Sequence, residues 1–234
     1  MKAYGDIGHG ERGDPGAVTG VFVEHKMNIV TTQAWAERMR QHGWDVKLED
    51  GNLEMGDSAR SANVFGADIM ISFHYNAGGG DRGEVIHAWK PGSLELANAV
   101  AVGLKKAGQS EVRVYKSRPN STGTAEYFGI LRISRMPAII VEPCFIDNAA
   151  DRAIADTDEK LKRIGICIAD AIAATYGSKL KGSEEVPEWM KKIMEDAKIV
   201  GLISSDHNPN EPATKWFVLA VALNIIKLIR GGKQ

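Results

Sequence analysis

The sequence predicts an α/β fold: a mostly parallel twisted sheet flanked by helices, followed by a small all-α carboxyl-terminal domain. Three observations lead there. Short apolar, β-branched-rich runs alternate with longer segments of helical periodicity, the alternation expected of a layered sheet. After Gly177 the texture turns polar and aperiodic before helical patterns resume. The chain has 234 residues, 44% hydrophobic and 25% charged, an ordinary globular composition with enough length to bury a core without covalent staples.

Taken in order, residues 3–7, 45–48, 68–73, 84–88, 112–115 and 138–141 read as strands. Residues 27–41 read as a helix, with Met27, Val30, Ala34 and Met39 near 3.6-residue spacing. Residues 93–106 form a second, with Ser93 as N-cap and Gly108 past its end. Residues 157–176 form a third, capped by Asp156 or Thr157 and closed by Gly177. The domain organisation expected is therefore 1–177, a linker over 178–186 (polar, glycine- and serine-bearing), and a unit over 187–234. That last unit reads as two helices, 188–200 and 214–229, joined by SSDHNPNEP and with Thr214 capping the second. So small a unit buries little surface alone, which predicts docking on a partner or self-association through these helices.

Charge and composition exclude several classes. The net charge of −1 gives no basic field of the kind nucleic-acid binding needs. It divides into about −3 before residue 185 and +2 after, a weak asymmetry suited to a tail that meets an anionic polymer. Two cysteines, Cys144 and Cys167, are too few for a disulfide scaffold. The opening MKAYGDIGHG lacks the apolar core of a signal peptide, and WFVLAVALNIIKLI is too short and interrupted to span a bilayer. The expectation is a chain made in the cytoplasm, let out by something else if its substrate lies outside.

The chemistry-bearing residues fall at strand ends. In open α/β sheets, ligands gather outside the carboxyl ends of the strands. His9 follows the first run, His74 directly follows IMISF, and Glu142 directly follows AIIV. Glu24, beside His25, falls at the entry of the helix over 27–41. Two imidazoles and a carboxylate make a three-ligand set with an open fourth position, the pattern of catalytic zinc; which acid ligates, and whether His25 does instead of Glu24, stays open on the residues alone. Each has a plainer reading. A histidine after a strand is usually structural, and Glu24 could be a solvated carboxylate favoured by the helix dipole. Glu142 is harder to dismiss, because Pro143 holds it extended at the end of an apolar strand where a carboxylate is costly.

The motifs in sequence resemble those of the zinc-dependent N-acetylmuramoyl-L-alanine amidases. Matching residues are Asp6, Gly8-His9-Gly10, Asp14-Pro15-Gly16-Ala17, Glu24, Arg60, Ala62-Asn63, Ala67-Asp68, Ser72, His74, Asn76-Ala77, Gly83, Pro137-Ala138, Val141-Glu142, Phe145 and Asn148, spread over about residues 1–177. Glu11 replaces a frequent glycine and Cys144 a frequent small residue. The resemblance implies one Zn2+ per chain held by His9, Glu24 and His74, with Glu142 as catalytic acid/base. It also implies the substrate, the amide between N-acetylmuramic acid and L-alanine in bacterial peptidoglycan. Arg60 and Asn76 become candidates for orienting ligands or substrate. With no export signal read, the role implied is a phage endolysin, held in the host cytoplasm until lysis and then acting on the cell wall. The rivals are a bacterial autolysin or spore-related amidase, a zinc carboxypeptidase on stem peptides, and a wall-binding protein that has lost catalysis.

Other candidates read as structural. His87 is a cleft-wall or packing residue, His42 helps end a helix before Gly43, and His207 has no assigned role. Cys144 lacks a Cys-His context and reads as a buried thiol, and Cys167 as core. Trp189 and Trp216 read first as core of the tail and, in the alternative, as contacts to glycan. The tail resembles short carboxyl-terminal segments of some phage and bacterial lysins at Pro187, Trp189, Ala197, Gly201-Leu202, Asn208-Pro209, Pro212 and Thr214, with Lys215 where arginine is usual. That implies wall binding.

Overall fold

A computed structural model describes residues 1–10, 13–49, 56–178 and 188–203. Alternation along the strands builds the sheet. Ala3, Ile69, Ile71, Phe73, Ile139 and Val141 face one apolar cluster, while Tyr4, Met70, Ala138 and Ile140 face another. That is the period-two pattern of strands buried on both faces. Six of them, β1 (Lys2–Ile7), β4 (Asp45–Glu49), β5 (Ile69–Phe73), β6 (Gly83–His87), β7 (Val112–Lys116) and β8 (Ala138–Glu142), form one sheet in the order β4-β1-β5-β8-β6-β7. Every pairing is parallel except β6 with β8. A hairpin of β2 (Val18–Thr19) and β3 (Phe22–Val23) leads into the first helix.

Helices cover both faces. On one side α1 (Glu24–Gln41), α3 (Ser93–Ala107) and α6 (Asp158–Thr175) contribute Trp35, Met39, Leu96, Leu104, Ile164 and Ile168 to the larger cluster. On the other, α2 (Asp57–Phe65) and α4 (Gly129–Ile133) add Ala59, Ala62 and Leu131. A short α5 (Ala149–Arg152) follows β8. Arg38 of α1 and His42, the residue that caps its end, grip Asp170 of α6 at 2.6 and 2.7 Å.

All six expected strands are present, and so are the three helices. The differences are local. The first helix begins three residues early, at Glu24. Gly92 occupies the N-cap of α3, and the Ser93 hydroxyl instead accepts from the Ala138 N–H. Thr157 does cap α6, accepting from Lys160 N–H. Three short helices and the hairpin carry no strong periodicity and were not expected. Cys144 is buried and Cys167 partly so.

The chain divides into two compact units, Met1–Lys179 and Leu180–Gln234. Of the second, the described part is α7 (Glu188–Ile199) and the residues to 203. The expected helix over 214–229, its cap Thr214, His207, Trp216 and Glu11 lie outside the described residues, as does most of the expected linker. No described helix is long and apolar enough to cross a membrane.

Candidate metal centre

Three adjacent strands, β1, β5 and β8, end side by side and deliver His9, His74 and Glu142 to one edge. Glu24 arrives there as the first residue of α1, its N–H donating to the Ala17 carbonyl at 2.9 Å. The structure thus brings His9, Glu24 and His74 together: one ligand-type atom from each lies within 4.8 Å of the others. His9 Nε2 stands 3.1 Å and His74 Nδ1 3.0 Å from Glu24 Oε1. A tetrahedral zinc with bonds of about 2.0–2.2 Å spaces its ligand atoms by roughly 3.4 Å, so these three donors fit one small cation with little movement.

His25, the alternative to Glu24, turns away. Its side chain is buried and its Nδ1–H donates to the Gly8 carbonyl, beside the Asn28 amide.

Two glycines make room. A Cβ on residue 8 would stand 2.4 Å from the His74 ring and 2.5 Å from the Phe73 carbonyl oxygen. One on residue 16 would meet Glu24 Oε2 at 2.5 Å and the His9 ring at 2.6 Å.

Electrostatics in the metal-free site favour protons where a cation would sit. Burial alone would raise the Glu24 carboxyl. Hydrogen bonds from His74, His9 and the Ala17 N–H outweigh it and hold the group well below the usual carboxylate range. His9 is pushed up to about 9, first by its bond to Glu24, against burial and with help from Asp14. His74 is raised too: burial opposes its charge, but Glu24, Glu142 and Asp6 overcome that.

Glu142 stands outside the three-ligand cluster. Its Oε2 is sealed from solvent, with no hydrogen-bond partner among the described residues. Burial pushes its carboxyl up to about 7; the charges of Glu24 and Glu84 add to this while His74 and His9 oppose it. A carboxyl poised near neutrality with an uncommitted oxygen is equipped to accept a proton and give it back.

The two weaker candidates fare differently. Arg60, exposed on the first turn of α2, is paired with Asp57 and shows no hydrogen bond to the cluster. Asn76 lies close behind the site, but its amide donates to Glu84 Oε2 at 3.1 Å. Glu84 sits opposite Glu142 in the antiparallel β6–β8 pair and also takes bonds from Tyr115 and Arg82. Sequence reasoning passed over Glu84; an acid inside the apolar GEVIHAW run was the available signal. It also missed the Tyr75 N–H, which donates to Glu24 Oε1 at 3.1 Å. His87, at the far end of β6 opposite Ile139, belongs to the other edge and packs there, its Nδ1–H donating to the Ala88 carbonyl.

Residues 6–174 match the N-acetylmuramoyl-L-alanine amidase family. The endolysin of Bacillus phage SPP1 is 26% identical over 187 residues, covering 78% of this chain and 69% of that protein. The N-acetylmuramoyl-L-alanine amidase CwlM of Bacillus licheniformis is 30% identical over 169 residues, covering 69% of this chain and 61% of that one. Among solved structures, Cwp6 from Clostridium difficile is similar with a TM-score of 0.69 and 29% identity, over 74% of this chain and 29% of that chain. The chain therefore spans about two thirds of the first two proteins and under a third of the last.

Proposed function

The chain belongs to the N-acetylmuramoyl-L-alanine amidase family, and we propose that it hydrolyses the amide between N-acetylmuramic acid and the stem-peptide L-alanine of bacterial peptidoglycan, with one zinc ion held by His9, Glu24 and His74. The observation that carries this reading is the division of labour at one sheet edge: three donors converge on one point, and Glu142, at the end of the neighbouring strand β8, has an Oε2 without a hydrogen-bond partner among the described residues. Bound there, zinc supplies Lewis acidity, polarising a carbonyl oxygen and bringing the pKa of a water to about 7. Glu142 accepts the proton of the attacking water and delivers it to the leaving amine of alanine. Its raised pKa suits both halves of that transfer. Glu24, anchored by the N–H groups of Ala17 and Tyr75, holds its carboxylate still while His9 and His74 complete the cradle.

The biological role we propose is that of a phage endolysin, made in the host cytoplasm and acting on the wall at lysis; the similarity to the SPP1 endolysin supports it. We assign residues 1–177 to catalysis, 178–186 to a linker and 187–234 to wall binding and to self-association through the tail helices. Sedimentation with purified walls of the full chain against a 1–178 fragment tests the tail: equal retention would remove the wall-binding assignment.

Digestion of purified peptidoglycan followed by mass spectrometry tests the reaction. The expected products are stem peptides beginning at L-alanine and glycan bearing unsubstituted muramic acid. New reducing ends without new amino termini would overturn the proposal, and loss of a terminal D-residue alone would make the enzyme a carboxypeptidase.

A further inference from the structure

The Asp14-Pro15-Gly16-Ala17 segment has no catalytic group, yet three of its residues touch the centre and Pro15 ties it to the start of α1. The Pro15 carbonyl accepts from His25 N–H at 3.1 Å, Gly16 leaves space for the His9 ring, and Ala17 N–H donates to Glu24 Oε2 at 2.8 Å. Asp14 is the member aimed at a ligand. Its Oδ2 accepts from His9 Nδ1–H at 2.8 Å, and its Oδ1 accepts from Gly16 N–H at 3.2 Å.

His9 needs such a hold. Among the described residues it is the only non-glycine with a positive φ, 63°, a left-handed conformation that carries a cost and persists where the surroundings enforce it. The backbone contributes by closing the turn, with Gly10 N–H donating to the Asp14 carbonyl at 2.9 Å. That bond places the peptide, while the two sides of the ring face carboxylates, Glu24 Oε1 at 3.1 Å from Nε2 and Asp14 Oδ2 at 2.8 Å from Nδ1. With Nε2 given to a cation, the proton belongs on Nδ1, and the Asp14 carboxylate is the group placed to accept it there.

We propose that Asp14 is a positioning residue for the metal: it fixes His9 as the Nδ1–H tautomer, so that Nε2 presents its lone pair to the point shared with Glu24 and His74. The proposal rests on the zinc reading of the site. Loss of the hydrogen-bond acceptor behind a ligating imidazole costs roughly 10–100-fold in metal affinity.

Three variants of the full-length protein separate positioning from turn structure. Asp14→Ser keeps a hydroxyl able to accept from Gly16 N–H but too short to reach His9. Asp14→Asn keeps an acceptor oxygen for the ring. Asp14→Ala removes both. Zinc affinity is read by chelator competition, and the His9 Nδ1–H proton by NMR of the zinc-loaded protein. Asp14 is 72% exposed, so the metal-free variants should fold, which circular dichroism checks. The expected result is a 10–100-fold affinity loss and a vanished Nδ1–H signal in Asp14→Ser and Asp14→Ala, with Asp14→Asn close to wild type in both. Zinc binding by Asp14→Ser within twofold of wild type would overturn the proposal, as would equal losses in Asp14→Ser and Asp14→Asn. Failure of the zinc reading is distinguishable, because the wild-type protein would then bind no zinc.

Discussion

Replacing Glu142 by glutamine separates metal binding from proton transfer and has a magnitude that follows from the site. In an unfolded chain this carboxyl titrates near 4.5; in the folded, metal-free protein burial, with smaller help from Glu24 and Glu84, raises it to about 7. Across that window the folded state binds more protons than the unfolded one, so stability falls as pH rises from about 4.5 to about 7 and stays low above it. At 1.36 kcal/mol per pKa unit the interval corresponds to about 3 kcal/mol. The residue is only partly buried, and solvent screening reduces this to about 1–2 kcal/mol. Glutamine has the same shape and no charge to desolvate. In chelator, Glu142→Gln should therefore be about 1–2 kcal/mol more stable than wild type at pH 8 and equal to it at pH 4, measured by urea unfolding. With zinc restored, turnover on peptidoglycan should drop at least about 100-fold while metal content stays at one per chain. Loss of zinc would make Glu142 a ligand, and undiminished turnover would remove it from proton transfer. A stability difference independent of pH would show that the carboxyl is not desolvated.

Other consequences are as direct. His9, at about 9 in the metal-free protein chiefly through Glu24, must lose its proton when zinc binds. Apparent zinc affinity should then climb at least about tenfold per pH unit between about 7 and 9, and chelator competition giving a flat profile would contradict the arrangement. Gly8→Ala drives a methyl into the His74 ring and the Phe73 carbonyl. It should cost about 1–3 kcal/mol of stability and most zinc binding, which calorimetry would detect; unaltered binding would mean the His74 ring has slack. Asn76→Ala frees Glu84 from one of its hydrogen bonds and should destabilise by about 1–3 kcal/mol with KM unchanged. A rise in KM without loss of stability would restore Asn76 as a substrate contact.

The large elements were legible because each repeats a single pattern. Along β5, Ile69 and Ile71 face one core while Met70 faces the other, and so continuous an apolar run has few alternatives to a buried strand. The short helices offer no such repeat. Of α2, only Ser58, Ala59 and Ala62 are buried, and α5 depends on Asn148 capping it while Asp151 reaches the Phe145 N–H. Both are set by tertiary contacts. Ser93 misled for a related reason: its hydroxyl had a better use at Ala138, and Gly92 could take the left-handed cap at φ 79. At the site, strand-end positions exposed His9, His74 and Glu142. The place of Glu84 depends on β6 running antiparallel to β8, a reversal that apolar periodicity does not encode.

Glu24 explains why residues so far apart in the chain form one site. Its two oxygens are claimed by backbone donors from different elements, Ala17 N–H ahead of α1 and Tyr75 N–H beyond β5. Neither donor depends on a metal, so the carboxylate is aimed before any ion arrives. An aimed carboxylate with no cation is electrostatically costly in a buried place, and the surroundings answer by raising the hold of His9 and His74 on their protons above that of a free imidazole. Zinc binding is then an exchange of those protons for a metal on a frame already built. Because the exchange occurs only in the folded state, zinc should also stabilise the fold by mass action. That gain should concentrate in the segments the frame ties together, the turn carrying His9, the start of α1 and the end of β5, where amide exchange would slow most on loading.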